Sequence, residues 1–277
     1  MSRYKLRANY DIENIDSQKM DGTVIVDVPM LSNGELNYGL SHIKKKLYEE
    51  NVYPSEIGFD IMSLATMVYM ADTRIERVVH GQDSWTREIE LEIPVSNVEI
   101  WDSQIHTVER MLKFLTGDLW KITLSSRAWQ FNNLEEVREK SNKYDEVSLF
   151  SGGMDSLIST INLMENKKNT LLISHAGEGL TKNAQKNIVN KFDLLYPDVL
   201  HTWLDLWMVF PRDYIPAGGN DNNTRSRSFL FIGYALFAMT GMDNINELLV
   251  PENGLIALNV PLDETRVGSF STRTTHP

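Results

Sequence analysis

The sequence predicts an α/β protein in two parts: a smaller α+β N-terminal domain over residues 1–140, and a parallel, doubly wound sheet over 141–277. Three observations predict it. From residue 146 onward, short apolar strand-like runs alternate with helix-like runs, the pattern of a parallel sheet with helices on both faces. Before that, strand and helix patterns occur without regular alternation. Between them, Asn132 to Asp145 is polar and carries Glu135, Glu136, Arg138, Glu139, Lys140 and Lys143, a connecting helix or linker that puts a boundary near residue 140.

In the first part, Thr23–Val28 is β-branched and reads as a strand stopped at Pro29. Ile57 to Val79 reads as a helix with Ile61, Leu64, Ala65, Val68 and Tyr69 on one face. Trp85 to Val95 sets Ile89, Leu91 and Ile93 against Glu88, Glu90 and Glu92, a half-exposed strand. Ile105 to Leu115 reads as a helix with Val108, Met111, Leu112 and Leu115 inward and Gly117 as its stop, and Lys121–Leu124 as a strand. In the second part the strands are Glu146–Phe150, Thr170–Ser174, Val199–Leu206 and Glu247–Val250. The helices between them are Asp155–Glu165, Thr181–Leu195 and Thr224–Met239, the last apolar on nearly all faces.

Composition narrows the function classes. The chain has 277 residues, 42% hydrophobic and 23% charged, as a globular protein does. It has no cysteine, which excludes disulfides, iron–sulfur clusters, thiolate zinc sites and a cysteine nucleophile. Its net charge of −11 disfavours general binding to nucleic acid or anionic membrane. The longest apolar run, Phe229 to Met239, is too short to span a bilayer, and no signal segment follows Met1, so a cytoplasmic location is expected.

The chemistry concentrates in Ser151-Gly152-Gly153-Met154-Asp155-Ser156, between an apolar strand and a helix. Gly152 and Gly153 let the backbone turn sharply and bring its N–H groups close to a ligand. The helix that follows offers unpaired N–H groups and the positive end of its dipole. Ser151 and Ser156 add hydroxyls, and Met154 is expected to pack inward. Asp155 would repel a phosphate unless a cation lay between them, so it implies Mg²⁺. A turn with helix caps needs one such residue, not two glycines between two serines with an acid. No Walker loop, dinucleotide fingerprint or His-Glu-x-x-His occurs.

Ser-Gly-Gly-x-Asp-Ser after a strand resembles the PP-loop of the ATP pyrophosphatase superfamily, of the adenine nucleotide alpha hydrolase-like type. The segment Thr224–Phe231 resembles the Arg-Asn-x-x-Phe-Leu segment of the 7-cyano-7-deazaguanine synthases, with Ser228 in the Asn place. Ala71-Asp72, Trp85–Glu88, Pro251–Asn259 and Ser271–Pro277 are similar to the QueC-like proteins of bacterial antiphage defence, the QatC group of the Qat system in particular. The resemblance covers most of the chain. It implies ATP and Mg²⁺ as cofactors, cleavage of ATP to AMP and pyrophosphate, and adenylylation of a carboxylate that an amine then attacks. It departs from the biosynthetic synthases at their four-cysteine zinc site, which a chain without cysteine cannot build. Because Pro277 directly follows a Ser/Thr/Arg/His motif, the second domain is expected to be completed by further chain or by a partner.

On this resemblance, Ser151, Gly152, Gly153 and Ser156 cradle the β,γ-pyrophosphate and Asp155 binds the metal. Arg225 and Arg227 open the apolar helix and suit α-phosphate or carboxylate, since guanidinium forks match those oxyanions. Two residues apart, they do not share a helical face, so at most one meets the ligand, with Arg227 favoured; a surface salt bridge is the alternative. The loop Ser174–Glu178, with Gly177, meets the nucleotide or is an ordinary turn, and Lys182 reaches phosphate or is solvated. Glu252 and Asn253 follow the fourth strand and bind substrate or orient an amine, or form a turn after Pro251. Arg266, Arg273 and His276 are further substrate candidates. Asp72 with Arg74, and Trp85 with Arg87, read as interface or substrate contacts, or as surface pairs.

The function so implied is an ATP-dependent, AMP- and pyrophosphate-forming ligase. It acts on a 7-deazaguanine-type carboxylate and works with other proteins of a defence operon. The alternative is an ATP-binding scaffold or sensor. A tRNA-modifying enzyme is disfavoured by the acidic charge and by the absence of cysteine for sulfur relay.

Overall fold

The computed structural model describes residues 3–132, 139–221 and 225–252. The first part runs β1 (Arg3–Asn9), β2 (Asp16–Met20), β3 (Thr23–Pro29), β4 (Leu31–Ser32), β5 (Glu35–Leu36), α1 (Leu40–Glu49), α2 (Glu56–Arg74), α3 (Arg77–His80), β6 (Glu88–Val95), α4 (Val98–Asp102), α5 (Ile105–Thr116) and β7 (Leu119–Ser126). The second runs β8 (Glu146–Leu149), α6 (Met154–Glu165), β9 (Thr170–Ala176), α7 (Gly179–Leu195), β10 (His201–Trp207), α8 (Arg227–Met239) and β11 (Leu248–Leu249). No helix among the described residues is long and apolar enough to cross a membrane.

The protein is α/β with two main sheets. The first has the order β2-β3-β1-β6-β7. Only β2 is antiparallel, folded onto β3 through Asp21 and Gly22, which both hold positive φ as a tight hairpin turn requires. The pairs β3–β1, β1–β6 and β6–β7 are parallel. This corrects the α+β expectation for the first part, whose sheet is mixed and mainly parallel. The misleading signal was the one-sided burial. Ile89, Leu91, Ile93 and Val95 are buried, while the other face carries Lys5 paired with Glu90 at 3.2 Å and Glu92 at 3.0 Å. Parallel sheets are more often covered on both faces.

The second sheet has the order β10-β9-β8-β11, all parallel. From β8 the chain steps outward to β9 and β10, then returns to place β11 on the other side of β8. Right-handed crossovers therefore put α6 and α7 on one face and α8 on the other, an arrangement compatible with a doubly wound fold. The strand order reverses between β8 and β11, and in open α/β sheets the crevice outside that reversal is where ligands bind.

Helix α2 is buried almost all round, from Gly58 to Thr73, rather than along one stripe, because it packs on the first sheet and on α8. At that crossing a Cβ added to Gly233 would stand 2.8 Å from the Ala65 Cβ, so glycine allows the close approach. The helix expected to reach Val79 ends at Arg74. Ile75 is extended and Glu76 N–H bonds Gly218 O, and a separate turn, α3, follows. In α5, Leu112 and Leu115 face inward and Gly117 (φ 78) closes the helix as expected, but Met111 is exposed. One hydrophobic cluster joins both parts, from Leu6 and Val26 of the first sheet through Met67 of α2 to Tyr234 of α8 and Ile173 of β9. In the polar connection, residues 139–145 are not helical, and Ser141 bridges to Met242; residues 133–138 lie outside the described ones.

Candidate functional site

The turn after β8 is built by its own side chains. Gly152 takes φ 82, and its N–H donates to Ser156 Oγ at 3.1 Å. Gly153 N–H donates to Ser151 Oγ at 3.2 Å, and Ser156 Oγ donates to Gly153 O at 2.9 Å. The two hydroxyls lie 3.2 Å apart. Ser156 is buried and acts as the internal post of the turn rather than as an outward donor. α6 begins at Met154, and its first-turn N–H groups face the same end of the sheet.

A pocket of about 190 Å³ opens here, between β8 and β11. Ser151 and Ser156 line it after β8, Val250, Pro251 and Glu252 after β11, and Arg227, Ser228, Phe231 and Ile232 from α8. It therefore lies at the strand-order reversal. Its volume, as enclosed by the described residues, is below the roughly 300–1,000 Å³ of a whole small-molecule pocket. Arg227 lies across the Phe231 ring at 5.4 Å and reaches His175 O at 3.5 Å. Burial raises the Glu252 carboxyl above its ordinary value, and the Asp155 charge raises it further. Asp155 is exposed and holds no hydrogen bond or ion pair among the described residues.

The donor set fits a hard cation. Glu252 lines the pocket and Asp155, at the start of α6, is near enough for its charge to raise the Glu252 carboxyl. Mg²⁺ is commonly held by one or two carboxylates, substrate phosphates and water. No group of three metal-ligating side chains occurs among the described residues, so an all-protein cage is absent there.

The structure thus brings together Ser151, Gly152, Gly153, Asp155, Ser156, Arg227 and Glu252, and separates others from them. Arg225 turns away, with its guanidinium donating to Thr116 O at 2.8 Å and stacked 4.4 Å over Trp85. As expected of residues two apart, one arginine faces the pocket and one does not. Lys182 pairs with Asp205 at 2.7 Å and does not line the pocket. Gly177 follows β9 in open space, where an added Cβ would meet nothing within 4 Å. Met154 is 75% exposed, not inward, because it starts α6 on the side away from the sheet. Asn253, Arg266, Arg273 and His276 lie outside the described residues.

Asp72 and Arg87 are not surface residues. They are buried with Arg77 and Asp118, whose carboxylate accepts from Arg77 at 2.6 Å and Arg87 at 2.6 Å. Asp72 also accepts Ser226 N–H at 2.9 Å, one residue before Arg227. Arg74 is spent on the carbonyls of Thr73, Phe210 and Pro211 rather than on Asp72. Gln185 of α7, fully buried against the turn, was missed; its signal is a polar residue on the inward stripe of Val189 and Phe192.

Fold and site together define an α/β protein with a Ser-Gly-Gly turn at the carboxyl edge of a parallel sheet, its Gly152 and Gly153 N–H groups taken up by Ser156 and Ser151. No protein-family model, no curated protein and no solved structure matches the chain.

Proposed function

We propose that this pocket binds ATP·Mg²⁺ as a PP-loop site and that the protein is a QueC-like, AMP- and pyrophosphate-forming ligase. The carrying observation is the placement of the Ser151–Ser156 turn, Arg227 and Glu252 around one pocket at the strand-order reversal. In this reading the turn and the first N–H groups of α6 hold the β- and γ-phosphates. Mg²⁺ would be held by Asp155 and would neutralise charge on the leaving pyrophosphate. Arg227 binds the α-phosphate oxygens through its fork.

The substrate carboxylate, of a 7-deazaguanine in this proposal, attacks the α-phosphorus. The bond from that phosphorus to the bridging oxygen breaks and pyrophosphate leaves. An amine nitrogen then attacks the acyl carbon, AMP departs and the amine loses a proton. Glu252, with its raised proton affinity, orients that amine and receives the proton. In-line positioning and fixed charges supply most of the rate. The setting proposed is bacterial antiphage defence, in the cytoplasm, with operon partner proteins.

Product analysis with ATP, Mg²⁺ and 7-carboxy-7-deazaguanine tests the reading. AMP and pyrophosphate in equal amounts, dependent on the carboxylate, support it. Release of ADP and phosphate refutes it, and binding of ATP without turnover points instead to a scaffold or sensor.

A further inference from the structure

Gln185 is 0% exposed on a helix whose other inward residues, Val189 and Phe192, are apolar. Its Nε2 donates to Ser151 O at 3.0 Å, inside the turn, and lies 3.4 Å from His175 O at the end of β9. That same His175 oxygen is the one Arg227 reaches at 3.5 Å. The Gln185 Cγ stands 2.9 Å from where a Cβ on Gly152 would be, so the side chain also fills the hollow left by that glycine. Two carbonyl oxygens on one side of the amide fix its orientation, because the flipped amide would set oxygen against oxygen. Gln185 Oε1 is buried with no partner among the described residues, a cost tolerated where the other end of the amide has a task.

We infer that Gln185 is a positioning residue that fixes the Ser151–Ser156 turn relative to Arg227, through Ser151 O and the shared His175 O. The inference rests on the nucleotide reading of that turn. Gln185 touches no reacting atom. It sets the spacing between the groups that hold the leaving diphosphate and the guanidinium at the α-phosphate.

Hydrogen exchange, turnover, a double-mutant cycle and a pH profile test it. Gln185→Met keeps the volume and removes both donated hydrogen bonds. In the ligand-free protein, native-state hydrogen exchange at Gly152, Gly153 and Ala176 is expected to quicken by about tenfold, with α2 and α8 unchanged. Unchanged exchange at the turn overturns the inference, whatever the activity. In turnover, the kcat for pyrophosphate formation is expected to fall by roughly tenfold or more, since small misplacements at a reacting centre are costly. Adding Gln185→Met to Arg227→Lys should then cost little beyond the single changes, the mark of residues acting as a unit. Additive losses overturn the coupling. Gln185→Glu should behave like Gln185→Met when ionised and regain activity as pH falls and its carboxyl becomes a donor; a pH profile unchanged from wild type also overturns it. Wild-type protein that forms no pyrophosphate would refute the proposed function instead, and the exchange experiment would still decide the role of Gln185.

Discussion

Asp72 and Arg87 meet at 2.6 Å with side chains 0% and 1% exposed, and the same Asp72 carboxylate holds the N–H of Ser226 at 2.9 Å. Arg87 also binds Asp118, Arg77 binds both acids, and the less buried Asp221 stands 3.7 Å from Arg77 and 3.8 Å from Arg87, so two guanidiniums meet three carboxylates. The cluster joins α2, α3, the start of β6 and the end of α5 to the residue that precedes Arg227.

Removing the Asp72 charge takes a 2.6 Å buried partner from Arg87 and leaves Asp118 to be shared with Arg77, with only the more distant Asp221 besides among the described carboxylates. Asp72→Asn is therefore expected to destabilise the protein by about 3–5 kcal/mol. Chemical denaturation measures it, and a loss of less than about 1 kcal/mol would contradict the buried pairing. Because Ser226 loses its anchor, Arg227 shifts as well, and turnover should drop more than for Arg225→Met. Arg225 donates to Thr116 O and stacks over Trp85, outside the pocket.

Asp155 acts on Glu252 through space. Burial raises the Glu252 carboxyl first and the Asp155 charge adds to it. Asp155→Asn removes the second cause and leaves the first. NMR titration should find the Glu252 value lower than in wild type, yet still above the ordinary carboxylate. Pyrophosphate formation should fall by roughly 100-fold or more with the metal-holding group gone. Stability should change by less than about 1 kcal/mol, since Asp155 is exposed and favoured only by the α6 dipole. A Glu252 titration identical in the two proteins would show that the acids do not face each other.

The backbone of the candidate site was legible because its signals are local. Two glycines between serines, after an apolar strand and before a helix, place Ser151 to Ser156 without any knowledge of the rest. The choice between Arg225 and Arg227 was half legible: spacing shows that they diverge, not which one the pocket takes. Gln185 and Asp72 were illegible as partners. Gln185 lies 34 residues from Ser151, and Asp72 lies 154 from Ser226. No periodicity encodes such pairings; only the crossovers that bring α7 and α2 to the sheet edge do. The parallel first sheet was misread for a related reason. The direction of β3 beside β1 depends on the return through β2, and those of β6 and β7 on the crossovers through α1 and α2 and through α5, whereas the alternation in β6 reports only that one face meets water.

Gly152 should resist substitution where Gly177 does not. At Gly152 a side chain must adopt φ 82 and its Cβ must come within 2.9 Å of Gln185 Cγ. Gly152→Ala is expected to cost about 1–3 kcal/mol from the left-handed backbone and the crowding together. Gly177 has no positive φ and no neighbour within 4 Å of an added Cβ, so Gly177→Ala should be neutral or stabilise by about 0.4–1 kcal/mol. Thermal melts of the two variants make the comparison. Equal losses would mean that the turn does not need its glycine.

His175 should give the protein an acid limb of its own. Its ring is buried between Tyr69 and Phe231, with Nε2 3.3 Å from Met208 O. Burial, opposed by the Met208 carbonyl and helped by the Arg227 charge, lowers its pKa from 6.5 to about 4, so the folded protein holds it neutral. The unfolded chain takes up a proton near pH 6.5 and the folded one only near pH 4. Its contribution is therefore fully present above about pH 6.5 and is lost as pH falls towards about 4. At 1.36 kcal/mol per pH unit the loss amounts to about 3 kcal/mol across that window. His175→Gln has no group that titrates there, so its stability should be lower at pH 7 but flatter between pH 6.5 and 4. Urea midpoints across that range test this. A His175→Gln protein with the same acid slope as wild type would place the acid sensitivity elsewhere.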